Sequence, residues 1–315
     1  MSTATWTLEQ IPDLSGRRAL VTGVTGGLGR HTALELARHG AEVVMAARSD
    51  ERLREAMDTV RRTVPTARLV PVLMDLADLG SVRRAADELR PLGPVHLLVN
   101  NAGVMATPNR RTVDGFDLQM GTNHFGHFAL TGLLLPQLLA EGTRVVTVSS
   151  LMHRLARRVS LTDPRVPRPH YKKWVAYSES KLANLLFAFE LDRRARAAGW
   201  QLESLAAHPG YTSTNLIRAG LRMDGGSSGQ SVLEGATRLL AQSAAQGALP
   251  LLMAATMAEL PGGSYVGPGG PGEVRGHPKL VGASRPARNE QTAAAFWSLS
   301  EQATHVYYPS GVSAT

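Results

Sequence analysis

The feature that most constrains the fold of this chain is a regular alternation of short apolar runs with longer segments of helical periodicity. Near-continuous apolar runs are typical of strands that are buried on both faces of a sheet. These runs lie at 18–22, 42–46, 68–73, 95–99, 144–148 and 202–207. The helical segments that follow them lie at 30–39, 49–63, 79–89, 116–139 and 174–198. Strands that alternate with helices in this way form a parallel sheet covered by helices.

We therefore predict an α/β fold with one doubly wound, Rossmann-like domain, a parallel sheet of about seven strands and helices on both faces. The chain has 315 residues, of which 43% are hydrophobic, and no repeat or linker divides it. We assign residues 1–315 to this single domain. After Tyr211 the alternation weakens, with a helix predicted near 231–245 and a Gly/Pro-rich stretch at 261–271. Ligands bind beyond the carboxyl ends of such strands, so we expect a substrate pocket at about 212–285.

Composition excludes several classes of protein. The absence of cysteine rules out disulfides, thiolate metal sites and cysteine nucleophiles. The longest uncharged apolar stretch, at 247–258, has 12 residues, and a span of the membrane needs about 20. No secretory signal opens the chain, which predicts a cytoplasmic location. The 34 basic residues exceed the 26 acidic ones, but they are scattered and aromatic residues are only 5%, so we expect no nucleic-acid partner.

A glycine-rich loop separates the first predicted strand from the first helix. The segment Thr22–Gly29 reads TGVTGGLG. Glycines there permit a tight turn and close approach of the backbone to a pyrophosphate, whose charge is met by free N–H groups and the helix dipole. Two glycine patterns of dinucleotide-binding loops fit this segment. One uses Gly23, Gly26 and Gly29, and the other uses Gly23, Gly27 and Gly29. The loop predicts a dinucleotide site.

The end of the second predicted strand indicates which dinucleotide binds. An NAD-binding chain carries an acidic residue about 20 positions after the loop, where it contacts the ribose hydroxyls. This chain instead reads Ala46-Ala47-Arg48-Ser49. A guanidinium can pair with a 2′-phosphate through two charge-assisted hydrogen bonds, whereas an acid would repel it. We therefore predict NADP(H) in preference to NAD(H), with the alternative that Arg48 is an ordinary surface residue and Asp50 turns inward.

A tyrosine and a lysine on one predicted helix suggest proton-transfer chemistry. Tyr177 and Lys181 are four residues apart and share a helix face. A nearby ammonium stabilises phenolate, so we expect the pKa of the phenol to lie below its usual value of about 10. Ser149 and Ser150 end a predicted strand, where a hydroxyl can bind an oxygen that develops negative charge. Adjacent strand residues point to opposite faces, so only one of the two serines can do so.

These motifs, in this order, resemble the classical short-chain dehydrogenases/reductases over about residues 16–308. The resemblance also includes Asp75-Leu76 after the third strand, the run Asn100–Gly103 (NNAG), Asn123, and His208-Pro209-Gly210 after the sixth strand. The NNAG run is that of the classical branch rather than the extended branch. Residues 177–187 (YSESKLANLLF), the long gap before them and residues 262–268 (GGSYVGP) are similar to the retinol-dehydrogenase-like group and its bacterial relatives.

The resemblance implies a role for each matching residue. The implied catalytic residues are Asn123, Ser150, Tyr177 and Lys181, with Asn123 holding a water that links the lysine to solvent. Asp75 would bind the adenine amino group, and Thr214 the nicotinamide carboxamide. The full implied cofactor-binding set is Gly23, Thr25, Gly26, Gly27, Leu28, Gly29, Arg48, Asp75, Leu76, Asn101, Ala102, Gly103, Tyr177, Lys181, Pro209, Gly210, Thr212 and Thr214.

The expected function is interconversion of a carbonyl and an alcohol by NADP(H)-dependent hydride transfer, with a tyrosine as general acid and base. The expected partner is a bulky, largely apolar small molecule. Two alternatives stay open: a biosynthetic ketoreductase for a polyketide, steroid or sugar-like ketone, and a non-catalytic NADP-sensing protein. The sequence does not determine the oligomeric state, for which a homodimer and a homotetramer are the two candidates.

Two further features have competing interpretations. His124 and His127 have no carboxylate at ligand spacing, so we interpret them as packed helix residues and predict no metal site. The basic segment at 153–173 lies between Ser150 and Tyr177 along the chain and must approach the mouth of the active site. It either contacts the far end of a substrate, or forms a solvated face or a contact between subunits.

Overall fold

The computed structural model describes residues 5–167, 169–211 and 242–309. The predicted helix near 231–245 falls largely outside the described residues, as does the first part of the expected substrate pocket.

One mostly parallel sheet forms the centre of the molecule. Within the described residues, its strands stand in the order β3-β2-β1-β4-β5-β6-β7-β8, and only β8 is antiparallel to its neighbour. The sequence predicted six of the eight strands to within two residues at each end, and the prediction of an α/β, Rossmann-like fold is confirmed. The strands are β1 Arg18–Thr22, β2 Glu42–Ala47, β3 Arg68–Leu73, β4 Leu97–Asn100, β5 Thr143–Val148, β6 Leu202–Ala207, β7 Tyr265–Pro268 and β8 Pro278–Leu280.

The order of the strands determines where a ligand can bind. The chain runs outward from β1 to β3, then returns to place β4 on the other side of β1. The loops that follow β1 and β4 therefore diverge and leave a crevice at the carboxyl edge of the sheet. The glycine loop and the NNAG run are these two loops.

Helices cover both faces of the sheet. They are α1 Gly27–Arg38, α2 Asp50–Thr63, α3 Leu79–Leu89, α4 Leu118–Met120, α5 Gly126–Leu133, α6 Leu135–Leu139, α7 Lys173–Ala197, α8 Ala244–Thr256 and α9 Glu290–Thr304. The single helix predicted at 116–139 is interrupted by a π-helical turn, Gly121–Phe125, and again at Leu134, near Pro136. Proline lacks the N–H that would continue the helix.

Two apolar clusters bury the faces of the sheet, and alternate strand residues enter opposite clusters. Leu20 belongs to the cluster that contains residues of α3, α5, α7 and α9, whereas Val21 belongs to the cluster that contains residues of α1, α2 and α8. On the first side, Trp297 of α9 stacks on Phe187 of α7 with the ring centroids 5.8 Å apart. None of the helices in the described ranges combines the length and apolar character that a bilayer crossing requires.

Candidate active site

The hydroxyl of Thr22 joins the two loops of the crevice. Its Oγ1 accepts hydrogen bonds from the backbone N–H groups of Asn101 and Ala102, at 3.0 and 2.9 Å. The side chain of Asn101 donates back to the Thr22 carbonyl at 2.7 Å. The loop after β4 is thereby held against the end of β1.

The glycine loop is packed too closely for side chains at particular positions. A Cβ at Gly23 would lie 2.7 Å from the Ala102 Cα, and one at Gly29 would lie 2.5 Å from the Asn101 Nδ2. A Cβ at Gly27 would meet Ala244 at 2.7 Å, whereas one at Gly26 has no neighbour closer than 3.7 Å among the described residues. The crowded glycines are therefore 23, 27 and 29.

The start of α1 completes an anion-binding cradle. The residue before the helix, Gly26, has no side chain to bond the N–H groups of the first turn. Such groups, together with the helix dipole, suit a pyrophosphate. Thr25 lies half-buried in the same loop, and Leu28 is buried at the base of the helix. These residues fit a dinucleotide.

Arg48 and Asp75 lie just beyond the ends of β2 and β3. The side chain of Arg48 is exposed, whereas Asp50 accepts a hydrogen bond from Arg54 Nε at 2.9 Å on the surface of α2. Asp50 therefore does not turn inward. Asp75 is half-buried and accepts from the Ala77 N–H at 2.9 Å, and the next residue, Leu76, is buried.

The two serines after β5 have different partners. Ser149 is buried, and its Oγ donates to the carbonyl of Lys181 at 2.8 Å. Ser150 is half-buried, and its side chain forms a hydrogen bond with Tyr177. The structure therefore brings Ser150, and not Ser149, together with the phenol.

Lys181 lies beneath the tyrosine. Its Nζ donates to the Val148 carbonyl at 3.1 Å and is 5.7 Å from the centroid of the Tyr177 ring. Asn184 donates to the same carbonyl at 2.9 Å. Sequence reasoning missed Asn184, although its position three residues after Lys181 on one helix could have indicated it.

Burial dominates the acid–base properties of this pair. It lowers the pKa of Lys181 to about 8. It raises the pKa of Tyr177 to about 12, against the opposing effect of the hydrogen bond with Ser150. The expected lowering of the tyrosine pKa was therefore wrong in direction, because the desolvation of the phenol outweighs the other effects. At neutral pH Tyr177 holds its proton.

Asn123 lies in the π-helical turn and is fully buried. Its amide exchanges two hydrogen bonds with the backbone of Val104, at 2.8 and 3.0 Å, and donates to Ser180 Oγ at 2.9 Å. A Cβ at Gly103 would lie 3.1 Å from Asn123 Oδ1 and 3.6 Å from Lys181 Nζ. The asparagine side chain thus connects the NNAG loop to α7 beside the lysine.

His127 extends this network, which sequence reasoning did not foresee. Its Nδ1 donates to the Asn123 carbonyl at 3.0 Å, and its Nε2 accepts from Thr22 Oγ1 at 2.9 Å. Burial lowers the pKa of His127 to about 4, so the ring is neutral. His124 bonds Ser300 Oγ at 2.9 Å. Both histidines therefore pack as helix residues.

The loop after β6 lies at the carboxyl edge of the sheet, next to the loop after β5 that carries Ser150. Gly210 has a φ of +67°, which favours glycine. Gln242 donates to the carbonyl of Pro209 at 2.5 Å, and the N–H of Tyr211 donates to Val274 at 2.8 Å. The remaining predicted cofactor residues, Thr212 and Thr214, lie outside the described residues.

The basic segment at 153–173 has several different contacts. Arg154 pairs with Glu273 at 2.8 Å, and Arg165 donates to the Ala303 carbonyl at 2.8 Å. Arg157 and Arg158 line a groove of about 250 Å³ together with Leu182, Arg285, Pro286, Asn289 and Thr292. Leu182 is five residues after Tyr177, or about 140° around the helix axis. This groove therefore borders a different side of α7 from the one that carries the phenol.

Known proteins resemble this chain over most of its length. The family model described as short chain dehydrogenase matches residues 17–162. Polyprenol dehydrogenase from Mus musculus is 42% identical over 80% of this chain and 75% of that protein. Retinol dehydrogenase 13 from Homo sapiens is 40% identical over 65% of this chain and 62% of that protein.

A crystal structure of an uncharacterised protein from Mycobacterium paratuberculosis aligns with a TM-score of 0.80 and 43% identity, over 97% of this chain and 100% of that one. The resemblance noted in the sequence is thereby confirmed. This chain belongs to the short-chain dehydrogenase/reductase family, whose members are oxidoreductases that bind NAD(P).

Proposed function

We propose that the protein is an NADP(H)-dependent oxidoreductase that interconverts a carbonyl and an alcohol on a bulky, largely apolar substrate. The observation that carries this proposal is the contact between the side chains of Ser150 and Tyr177 above a buried Lys181. This group follows β5, at the same edge of the sheet as the glycine loop.

The cofactor preference rests on the surroundings of the ribose position. The glycine loop and the start of α1 offer a cradle for the pyrophosphate, and the exposed guanidinium of Arg48 is available to a 2′-phosphate. Asp50, the nearby acid, is occupied by Arg54. Bound in this cradle, the nicotinamide cofactor supplies or accepts the hydride.

The protein's own groups handle the proton. With a pKa of about 12, Tyr177 holds a proton that it can donate to the oxygen of a carbonyl as that carbonyl is reduced. Ser150 can donate a hydrogen bond to the same oxygen and stabilise its developing charge. In alcohol oxidation the proton passes the other way, and the ammonium of Lys181 stabilises the phenolate that must receive it. We further propose that Asn123 holds a water that links the buried Lys181 to solvent.

The apolar substrate is supported by exposed apolar side chains that lie close to Ser150 and Tyr177 along the chain. Trp174, three residues before Tyr177 on α7, is 44% exposed, and Leu155, five residues after Ser150, is 70% exposed. Large apolar side chains that face solvent beside a site mark a surface for an apolar ligand. The two relatives are named for polyprenol and retinol, which are apolar alcohols. The cytoplasmic location and the homodimer or homotetramer stay predictions.

The test is turnover of a graded substrate panel by the full chain. Aldehydes and ketones of increasing apolar size, and the matching alcohols, are offered with NADPH or NADP⁺ while the absorbance of NADPH is followed. We expect consumption that depends on substrate, with kcat/KM rising with apolar size. Tight binding of NADPH without turnover of any compound would contradict the enzymatic proposal and favour the sensing alternative.

A further inference from the structure

Glu273 adopts a backbone conformation that favours glycine. It ends the short 3₁₀ turn Pro271–Glu273 with a φ of +58°. A residue with a Cβ is strained in this left-handed region and persists there only where the surrounding structure holds it. The neighbouring Gly272 has a similar φ of +61°. Contacts of Glu273 with the surrounding structure must therefore hold this backbone conformation.

The Glu273 carboxylate contacts two segments of the candidate site. Its Oε1 accepts from Arg154 at 2.8 Å, and its Oε2 accepts from His208 Nε2 at 3.2 Å. His208 is fully buried, and its Nδ1 accepts from the Gly210 N–H at 3.2 Å. Since Nδ1 is an acceptor, Nε2 carries the ring proton, and the carboxylate selects this tautomer.

Arg154 belongs to the segment behind Ser150. This segment is the 3₁₀ helix Leu151–Leu155, and its residue His153 donates from Nδ1 to the Ser150 carbonyl at 2.7 Å. Arg154 also donates to the Gly282 carbonyl at 3.2 Å. One carboxylate thus links the chain that leaves β5 after Ser150 to the chain that leaves β6 through His208.

The backbone next to Glu273 adds a second attachment to the same loop. The Val274 carbonyl accepts from the Tyr211 N–H at 2.8 Å, and a Cβ at Gly210 would lie 2.4 Å from that carbonyl oxygen. The loop His208–Tyr211 therefore rests directly on the segment that carries the carboxylate.

We propose that Glu273 is a positioning residue whose carboxylate sets the nicotinamide end of the cofactor site relative to Ser150. The inference rests on the proposed function and on the resemblance, which implies that Pro209 and Gly210 bind the cofactor and that Thr214, four residues after Gly210, holds its nicotinamide. The strained backbone makes it testable, because glycine at this position relieves the strain while it removes the link.

The experiment compares Glu273→Gly, Glu273→Ala and Glu273→Gln in the full chain. We expect the glycine variant to melt at or above the temperature of the alanine variant, because it tolerates the positive φ. Both should nevertheless lower kcat by about 10- to 100-fold, the size expected when reacting groups are misplaced. The glutamine variant, which keeps a hydrogen-bond acceptor, should retain more activity than either.

A binding comparison locates the effect. The Kd of NADPH should rise in the glycine and alanine variants, while the Kd of 2′-phospho-ADP-ribose, which lacks the nicotinamide, should stay at the wild-type value. Glu203→Ala is the matched control, because it removes an Arg144–Glu203 pair that joins β5 and β6 at the opposite edge of the sheet. This control should leave kcat and both Kd values unchanged.

The outcomes separate the two proposals. If the Glu273 variants change the melting temperature alone, Glu273 has only a structural role and the inference is wrong. If both nucleotides weaken equally, the carboxylate does not act on the nicotinamide end, and the inference is again wrong. If the wild-type protein binds neither nucleotide, the proposed cofactor site fails and takes the inference with it.

Discussion

Replacing each of the two adjacent serines by alanine tests which hydroxyl serves the reaction. Ser149 donates to the Lys181 carbonyl at 2.8 Å and is buried, whereas Ser150 forms a hydrogen bond with Tyr177. Ser150 also accepts from the Met152 N–H at 3.2 Å and so caps the 3₁₀ helix that follows. Each substitution therefore removes one hydroxyl, and the two hydroxyls have different hydrogen-bond partners.

Their expected costs are similar in stability and different in catalysis. Ser149→Ala loses one buried hydrogen bond, or about 0.5–1.5 kcal/mol of unfolding free energy. Ser150→Ala loses a cap, or about 0.5–2 kcal/mol. Removing a donor to a developing oxyanion, however, lowers kcat by about 10²–10³. Only Ser150→Ala should show that loss.

Denaturant unfolding and steady-state turnover at saturating NADPH measure the two effects separately. We expect Ser149→Ala to keep kcat within about threefold of wild type, since its hydroxyl is bound to the helix backbone. If Ser149→Ala loses as much kcat as Ser150→Ala, the assignment of Ser150 alone to the side of the phenol is refuted. Full activity in Ser150→Ala would refute the role of its hydroxyl.

Three further predictions concern the cofactor and the lysine. Arg48→Ala should raise the Kd of NADPH about 10- to 100-fold and the Kd of NADH less than about twofold, because it removes a charged contact with the 2′-phosphate. Fluorescence titrations measure both values. Equal weakening of the two cofactors would show that Arg48 does not contact the phosphate. Gly29→Ala should lower the unfolding free energy by about 1–3 kcal/mol through crowding, and Gly26→Ala by about 0.5 kcal/mol or less; similar losses would contradict the packing described. Lys181 has a pKa of about 8 in the folded chain against 10.5 for a lysine in water, so the unfolded chain binds more protons between these values. The stability of wild type relative to Lys181→Met should therefore rise with pH across this window, and a flat difference in denaturation midpoints would contradict the buried environment.

The strands were predictable because their apolar runs are nearly continuous and end at glycine or polar residues. The strand at 202–207 and the helix at 79–89 have the predicted bounds. The long helix at 116–139 was wrong in its continuity, because the π-helical turn around Asn123 depends on bonds to Val104 and Ser180 from other elements. The last helix, Glu290–Thr304, was not predicted.

The catalytic motifs were recognisable because their residues are close together along the chain. Tyr177 and Lys181 share one helix, and Ser150 ends one strand. The bonds of His127 to Thr22 and of Glu273 to His208 join residues 105 and 65 positions apart, which no local pattern indicates. The direction of the Tyr177 pKa shift also required the fold, because burial is a tertiary property.

Turnover by Tyr177→Phe, measured beside NADPH binding, tests the central claim most directly. The substitution removes the proton that the phenol donates and leaves the ring in place. We predict that kcat falls by at least about 100-fold, the size of a general acid–base contribution, while the Kd of NADPH stays within about twofold of wild type. A variant that retains more than about a tenth of the wild-type kcat would contradict the assignment of Tyr177 as the general acid and base.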